Sequence, residues 1–224
     1  MALERWVQQF PEKLNIGDTS LSVLREVLRL NPDIKAITIT FYDDFTSSND
    51  DQVNFAQQLV WLPARLAFEE ETLQRISELN YDTNLSEGEV NKIMGVGSKV
   101  RLSSGETMHI PMMDFVSDPE QTGVKVIEDN EAVTVFSQTP GVILDSGNSF
   151  HFWGVNLLSD SEYKESMKNR LEMENKRCGL GKKPIYDKRY VEASLKRGFS
   201  VLRIFGYPFG TLKETEPEVV QIIK

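Results

Sequence analysis

The runs GVILDS (141–146) and SFHFWGV (149–155) flank the dipeptide Gly147-Asn148, and no other stretch restricts the fold of this chain as strongly. Gly and Asn tolerate the positive φ of a tight hairpin turn, so apolar runs on either side of them predict a pair of antiparallel strands. Alternation along the second run puts Ser149, His151 and Trp153 on one face and Phe150 and Phe152 on the other. The phenylalanines then suit the core. His151, one of two histidines in the chain, shares the opposite face with Ser149, which leaves two readings: a structural histidine among aromatics, or a member of a site whose other residues lie elsewhere.

The same logic extends along the sequence. TSLSVLREVLRL (19–30) has a Thr or Ser start, apolar residues at helical spacing and a stop at Asn31-Pro32, which predicts a helix. IKAITITFY (34–42) alternates Ile37, Ile39 and Phe41 with Thr38, Thr40 and Tyr42, the pattern of a half-buried strand. A long helical pattern is expected from about 52 to 79, bent or divided at Pro63. The polar, turn-rich stretch NYDTNLSEGEV (80–90) is the expected boundary between an N-terminal α/β extension (1–90) and a second domain (91–224).

Beyond the boundary the pattern is richer in strands. KVRL (99–102) and TMHIPMMDF (107–115) read as a hairpin, with Pro111 demoting its part of the second strand to an edge or a bulge. AVTVF (132–136) and GVIL (141–144) add short strands. A helix is expected from Ser159-Asp160 to Gly179 or Gly181, another over 187–197 stopped by Gly198, and a strand in FSVLRIF (199–205). Strands in hairpins interleaved with helices predict an α+β fold.

Composition narrows the chemistry. No apolar run approaches the length of a membrane span, and the first residues lack the apolar centre of a signal peptide, so a cytoplasmic location is expected. With one cysteine and two histidines, any metal must rest on oxygen ligands, which points to magnesium or manganese. The net charge of −9 is unevenly spread, because residues 164–203 carry twelve Lys or Arg against five Asp or Glu. That basic segment reads either as a solvated helix face or as a phosphate-binding surface, and the acidic remainder could dock a protein partner.

Three stretches hold the candidate site residues. In HIPMMDF an apolar strand closes on the carboxylate of Asp114, which needs either solvent at a strand end or a partner. Ser149 and His151 come from the hairpin. In IYDKRYVEASLKRGFSVLRIF (185–205), Asp187 can serve as a helix N-cap, while alternation turns Arg203 away from the face that Leu202 and Ile204 bury.

The order of these motifs, a carboxylate-ended strand, a Ser-x-His strand after a glycine turn, then an Asp leading to an Arg-bearing strand, resembles the archaeo-eukaryotic-type primase (primase-polymerase) superfamily over roughly residues 98–206. The resemblance implies an RRM-like core. It also implies metal-dependent nucleotidyl transfer with a nucleoside triphosphate and nucleic acid as partners, in replication or phage-defence assemblies. Carried over by position, it implies Asp114, His151 and Asp187 as catalytic residues, with Asp114 and Asp187 on Mg or Mn, and Ser149, His151, Lys188, Arg197 and Arg203 contacting the nucleotide. One departure stands out: the first motif of that superfamily has two acids separated by one residue, and here Met112 and Val116 occupy the places on either side of Asp114. The competing expectation is therefore a catalytically reduced module, acting as a non-catalytic nucleic-acid-binding or interaction subunit.

Overall fold

A computed structural model describes residues 13–43, 59–79, 92–115, 140–147, 149–182, 184–204 and 216–223. In chain order its elements are α1 (Ser20–Leu30), β1 (Ile34–Asp43), β2 (Val60–Pro63), a 3-10 turn (Ala64–Phe68), α2 (Glu70–Leu79), β3 (Lys92–Leu102), β4 (Thr107–His109) and β5 (Met112–Asp114). They continue with β6 (Gly141–Asp145), β7 (Phe150–Gly154), α3 (Asp160–Gly179), α4 (Lys188–Arg197), β8 (Val201–Arg203) and β9 (Glu218–Ile223). The fold is α+β with antiparallel pairing throughout these strands, as the sequence predicts.

Two sheets carry the fold. The first runs β2-β1-β3, and the far edge of β3 is shared by β8 beside Gly95–Gly97 and β4 beside Lys99–Arg101. The second runs β5-β7-β6-β9. Pro111 lies where the chain leaves β4 in one sheet for β5 in the other, so it marks a change of sheet and not a bulge within one strand. The crossing is tight: Gly154 donates its amide to the Pro111 carbonyl at 2.8 Å, and a Cβ on Gly154 would lie 2.8 Å from the proline ring.

Several expectations need correction. The helical pattern expected over 52–79 holds beyond Pro63, as the 3-10 turn and α2, but gives way at 60–63 to β2, where Val60, Trp61 and Leu62 pair along the edge of β1; β-branched and aromatic residues suit that pleated edge, Pro63 closes it, and residues 52–58 lie outside the described residues. β1 is not half-buried, since Ile37, Thr38, Ile39 and Thr40 are all 1% exposed or less. Thr38 is accommodated because its hydroxyl donates to the Lys99 carbonyl at 2.8 Å, and Gly97 leaves room for Thr38 and Leu59 on that face. The hairpin β6–β7 forms as expected, but both of its faces are covered: Phe152 and Trp153 are fully buried and His151 is 6% exposed. Within the basic segment 164–203, Arg170 and Arg203 are buried and so add nothing to a charged surface.

The stretch 80–90 and the strand expected at 132–136 lie outside the described residues. On either side of the first of these, β1 and β3 pair from Ile34↔Leu102 to Asp43↔Lys92. Apolar side chains from α1, both sheets and α3 join in one buried cluster. Further ties cross it, with Ser20 donating to the Ile204 carbonyl at 2.6 Å and Gly17 donating to the Val219 carbonyl at 2.8 Å.

Candidate functional site

Antiparallel register brings the first two motifs together. β5 and β7 pair with Asp114 directly opposite His151, and His151 faces Leu144 of β6 on its other side. Next to this pair the β6–β7 turn is built by local polar chemistry. Gly147 has φ +87°, the region glycine adopts without strain, and its amide donates to Asp145 Oδ1 at 2.7 Å. The Ser146 hydroxyl donates to the Ser149 carbonyl at 2.8 Å and lies 3.0 Å from the Ser149 hydroxyl. Ser149 in turn donates to Asp114 Oδ1 at 2.9 Å, and His151 Nε2 stands 3.8 Å from the same oxygen. That last separation is beyond a hydrogen bond but within electrostatic reach.

The third motif arrives from the other side. Tyr186 forms an antiparallel bridge with Phe115, their rings stacked with centroids 5.8 Å apart, and the Asp187 amide donates to the Asp114 carbonyl at 3.2 Å. The two candidate carboxylates thus sit on hydrogen-bonded backbones. Asp187 is also the N-cap of α4, its Oδ1 accepting from the Arg189 and Tyr190 amides at 2.9 and 3.2 Å. Both capping bonds use one oxygen, which leaves Oδ2 outside the cap. Asp114 and Asp187 side chains are 25% and 33% exposed, so the cluster opens to solvent through its carboxylates while its imidazole is enclosed.

The cationic candidates divide. Arg203 reaches the cluster from the first sheet, where it pairs with Gly95, and donates to the Ser146 carbonyl at 2.5 Å. It is buried against the hairpin turn and not spread on an open face. Lys188 is exposed beside Asp187, with its ammonium 3.8 Å from Glu192. Arg197 lies at the far end of α4, about 15 Å along the helix axis from Asp187. There it donates to the Ala193 carbonyl at 3.1 Å and lies over the Phe199 ring at 5.2 Å.

For a magnesium or manganese ion the available donors are the carboxylates of Asp114 and Asp187. Among the described residues no group of three or more His, Cys, Asp or Glu is arranged to hold a metal. A magnesium-type ion takes one or two protein carboxylates and completes its shell with water and phosphate oxygens, so two carboxylates match its needs in number. They fall short of a two-metal centre. Met112, at the place where the superfamily has a further acid, is fully buried opposite Trp153. Val116, on the other side of Asp114, lies outside the described residues.

Two contributors to this geometry escape a reading of the sequence alone. Ser146 supports the turn, and Glu174 of α3 accepts the amides of Ile185 and Tyr186 just ahead of Asp187. The signal for Glu174 was the spacing Tyr163, Met167, Arg170, Glu174, one inward stripe of α3 that turns from apolar to charged. His109, without an identifiable partner in sequence, belongs to a buried polar network. Its Nδ1 lies 3.1 Å from the Ser98 hydroxyl, its ring stacks on Tyr163 at 4.2 Å, and Tyr163 in turn meets the Ser200 hydroxyl at 2.8 Å. Nε2 is 3.4 Å from Asp160 Oδ1, too poorly aligned to count as a full hydrogen bond. Burial, with Lys99 nearby, holds the imidazole down at a pKa of about 4 against the weaker opposing pull of Asp160.

Comparison with known proteins agrees with the order of the motifs. No curated protein and no solved structure matches the chain. A family model described as archaeo-eukaryotic primase 1D-like matches residues 72–208, a span that takes in β3 through β8 and every candidate residue above. That span is more than half of the sequence, and the chain belongs to the archaeo-eukaryotic primase 1D-like family.

Proposed function

We propose that this primase-like domain binds a nucleoside triphosphate together with Mg or Mn at the corner formed by Asp114, Ser149, His151 and Asp187, and that it does so in handling nucleic acid. The observation that carries the reading is the meeting of three separated segments at Asp114: its own strand, the Ser149–His151 segment at its carboxylate and the Asp187 segment at its backbone. Ser149 donates to Asp114 at 2.9 Å, His151 stands 3.8 Å away, and the Asp187 amide bonds the Asp114 backbone at 3.2 Å. A bound divalent ion supplies charge neutralisation for a triphosphate and, in nucleotidyl transfer, activation of the attacking hydroxyl. In this reading Asp114 and Asp187 hold the ion. Ser149 and His151 orient phosphate oxygens and Lys188 contributes positive field at the solvent side; Arg203 acts from beneath, bonded to the Ser146 carbonyl of the hairpin turn, and Arg197, at the far end of α4, reaches only a ligand that extends along that helix.

Catalysis is the finer part of the proposal. A second reading, a nucleotide- or nucleic-acid-binding module without synthesis, is favoured by buried Met112, since a site with two carboxylates holds a second ion weakly. Calorimetric titration of a nucleoside triphosphate with and without Mn²⁺ tests the site. Binding is expected to require the metal and to weaken at least about tenfold in Asp114→Asn, which keeps an acceptor for Ser149 but removes the charge. Metal-independent or absent binding would sink the site. A primer-extension assay on the same samples separates the two readings, because the reduced module binds without extending.

A further inference from the structure

Glu174 is a carboxylate in the interior of the protein, 1% exposed on the inward stripe of α3. A buried carboxylate is costly unless its oxygens are well bonded. Here Oε1 accepts the Ile185 amide at 2.8 Å and Oε2 accepts the Tyr186 amide at 3.1 Å. One side chain therefore spans two consecutive backbone amides of the connection between α3 and α4. From that clamp the contacts run in one direction. Tyr186 bridges Phe115, and the next amide along, that of Asp187, donates to the Asp114 carbonyl at 3.2 Å.

We propose that Glu174 is a positioning residue: by clamping the 185–186 backbone it holds Asp187 beside Asp114, and so sets the affinity of the paired carboxylates for a divalent ion. The backbone half of this inference stands on geometry alone. The metal half rests on the nucleotide-site reading. Glu174 touches neither carboxylate of the pair in the contacts described, so its effect on the ion passes through the backbone of residues 185–187.

Two measurements decide it. In the wild-type protein, amide hydrogen exchange followed by NMR should show Ile185, Tyr186 and Asp187 protected to the same order as the β6–β7 ladder. Exchange at the rate of an exposed loop would overturn the clamp. In Glu174→Gln the side-chain NH₂ must face one of the two backbone donors, so the Asp187 amide is expected to exchange about tenfold faster while the β6–β9 amides are unchanged. Mn²⁺ affinity, read from the free-ion electron paramagnetic resonance signal, should fall about tenfold in the same variant. Adding Glu174→Gln to Asp187→Asn should cost nothing further, and Glu172→Gln on the exposed face of α3 should behave as wild type. A Glu174→Gln protein with a lower melting temperature but unchanged Mn²⁺ affinity, or losses that add to those of Asp187→Asn, would reduce Glu174 to a fold support. If the wild type binds no Mn²⁺, the nucleotide-site reading falls, and the exchange measurement alone decides whether Glu174 positions the segment.

Discussion

His109 illustrates how one residue can link a fold to its solution conditions. Its ordinary pKa of 6.5 is lowered to about 4 in the folded chain, chiefly because burial penalises the charged imidazole. The unfolded state therefore binds the proton more readily, and stability rises with pH across the window between those two values. The contribution is fully present above the unfolded pKa, is lost progressively as pH falls through the window, and changes no further below the folded value. Its size is of the order of 3 kcal/mol. Urea melts at several pH values from 4 to 7, compared between wild type and His109→Asn, should show a steeper decline toward acid in the wild type. Parallel pH profiles would refute the assignment. The two histidines of the chain thus have different roles: His109 is held neutral inside a hydroxyl network, while His151 stands at the edge of the carboxylate cluster.

At the scale of elements, β6 and β7 pack closely at Gly141. A Cβ on Gly141 would press into the Trp153 carbonyl and lie 2.7 Å from the Phe152 ring, so the first residue of β6 is glycine because its partner strand leaves no space. Gly141→Ala should lose about 1–3 kcal/mol by overpacking, read as a lower denaturation midpoint. A midpoint equal to wild type would mean that the two strands are less tightly apposed than described. The helices owe their ends to local chemistry that the sequence announces. Ser159 and Glu162 form a reciprocal capping box at the start of α3, Asp187 caps α4, and Gly198 with φ +74° ends it.

At the scale of the whole molecule, the two sheets and the helices share a single apolar cluster, and β1 pairs along β3. Thermal unfolding followed by far-ultraviolet dichroism and by tryptophan fluorescence should therefore give one coincident transition, since Trp61 lies in the first sheet and Trp153 in the second. Two separated transitions would instead support a division near residue 90 into independent units. No described helix is long and apolar enough to cross a membrane.

The sequence by itself determined the local features: the α+β class, the caps and stops of the helices, the glycine turn between β6 and β7, and the order of the three motifs that the family match covers. These were legible because turn chemistry, capping and alternation act over a few residues. Tertiary structure decided what depends on contacts distant in the chain. Whether a strand face is open or covered cannot be read from its own alternation, which is why β1 and the His151 face prove buried and why β2 replaces a helix. The partners of a buried charge are equally remote in sequence. Arg203 meets a carbonyl 57 residues away, and Glu174 meets two amides of the connection that bring Asp187 against Asp114. Burial makes an unsatisfied charge expensive, so these distant bonds, more than any short motif, set the geometry of the site.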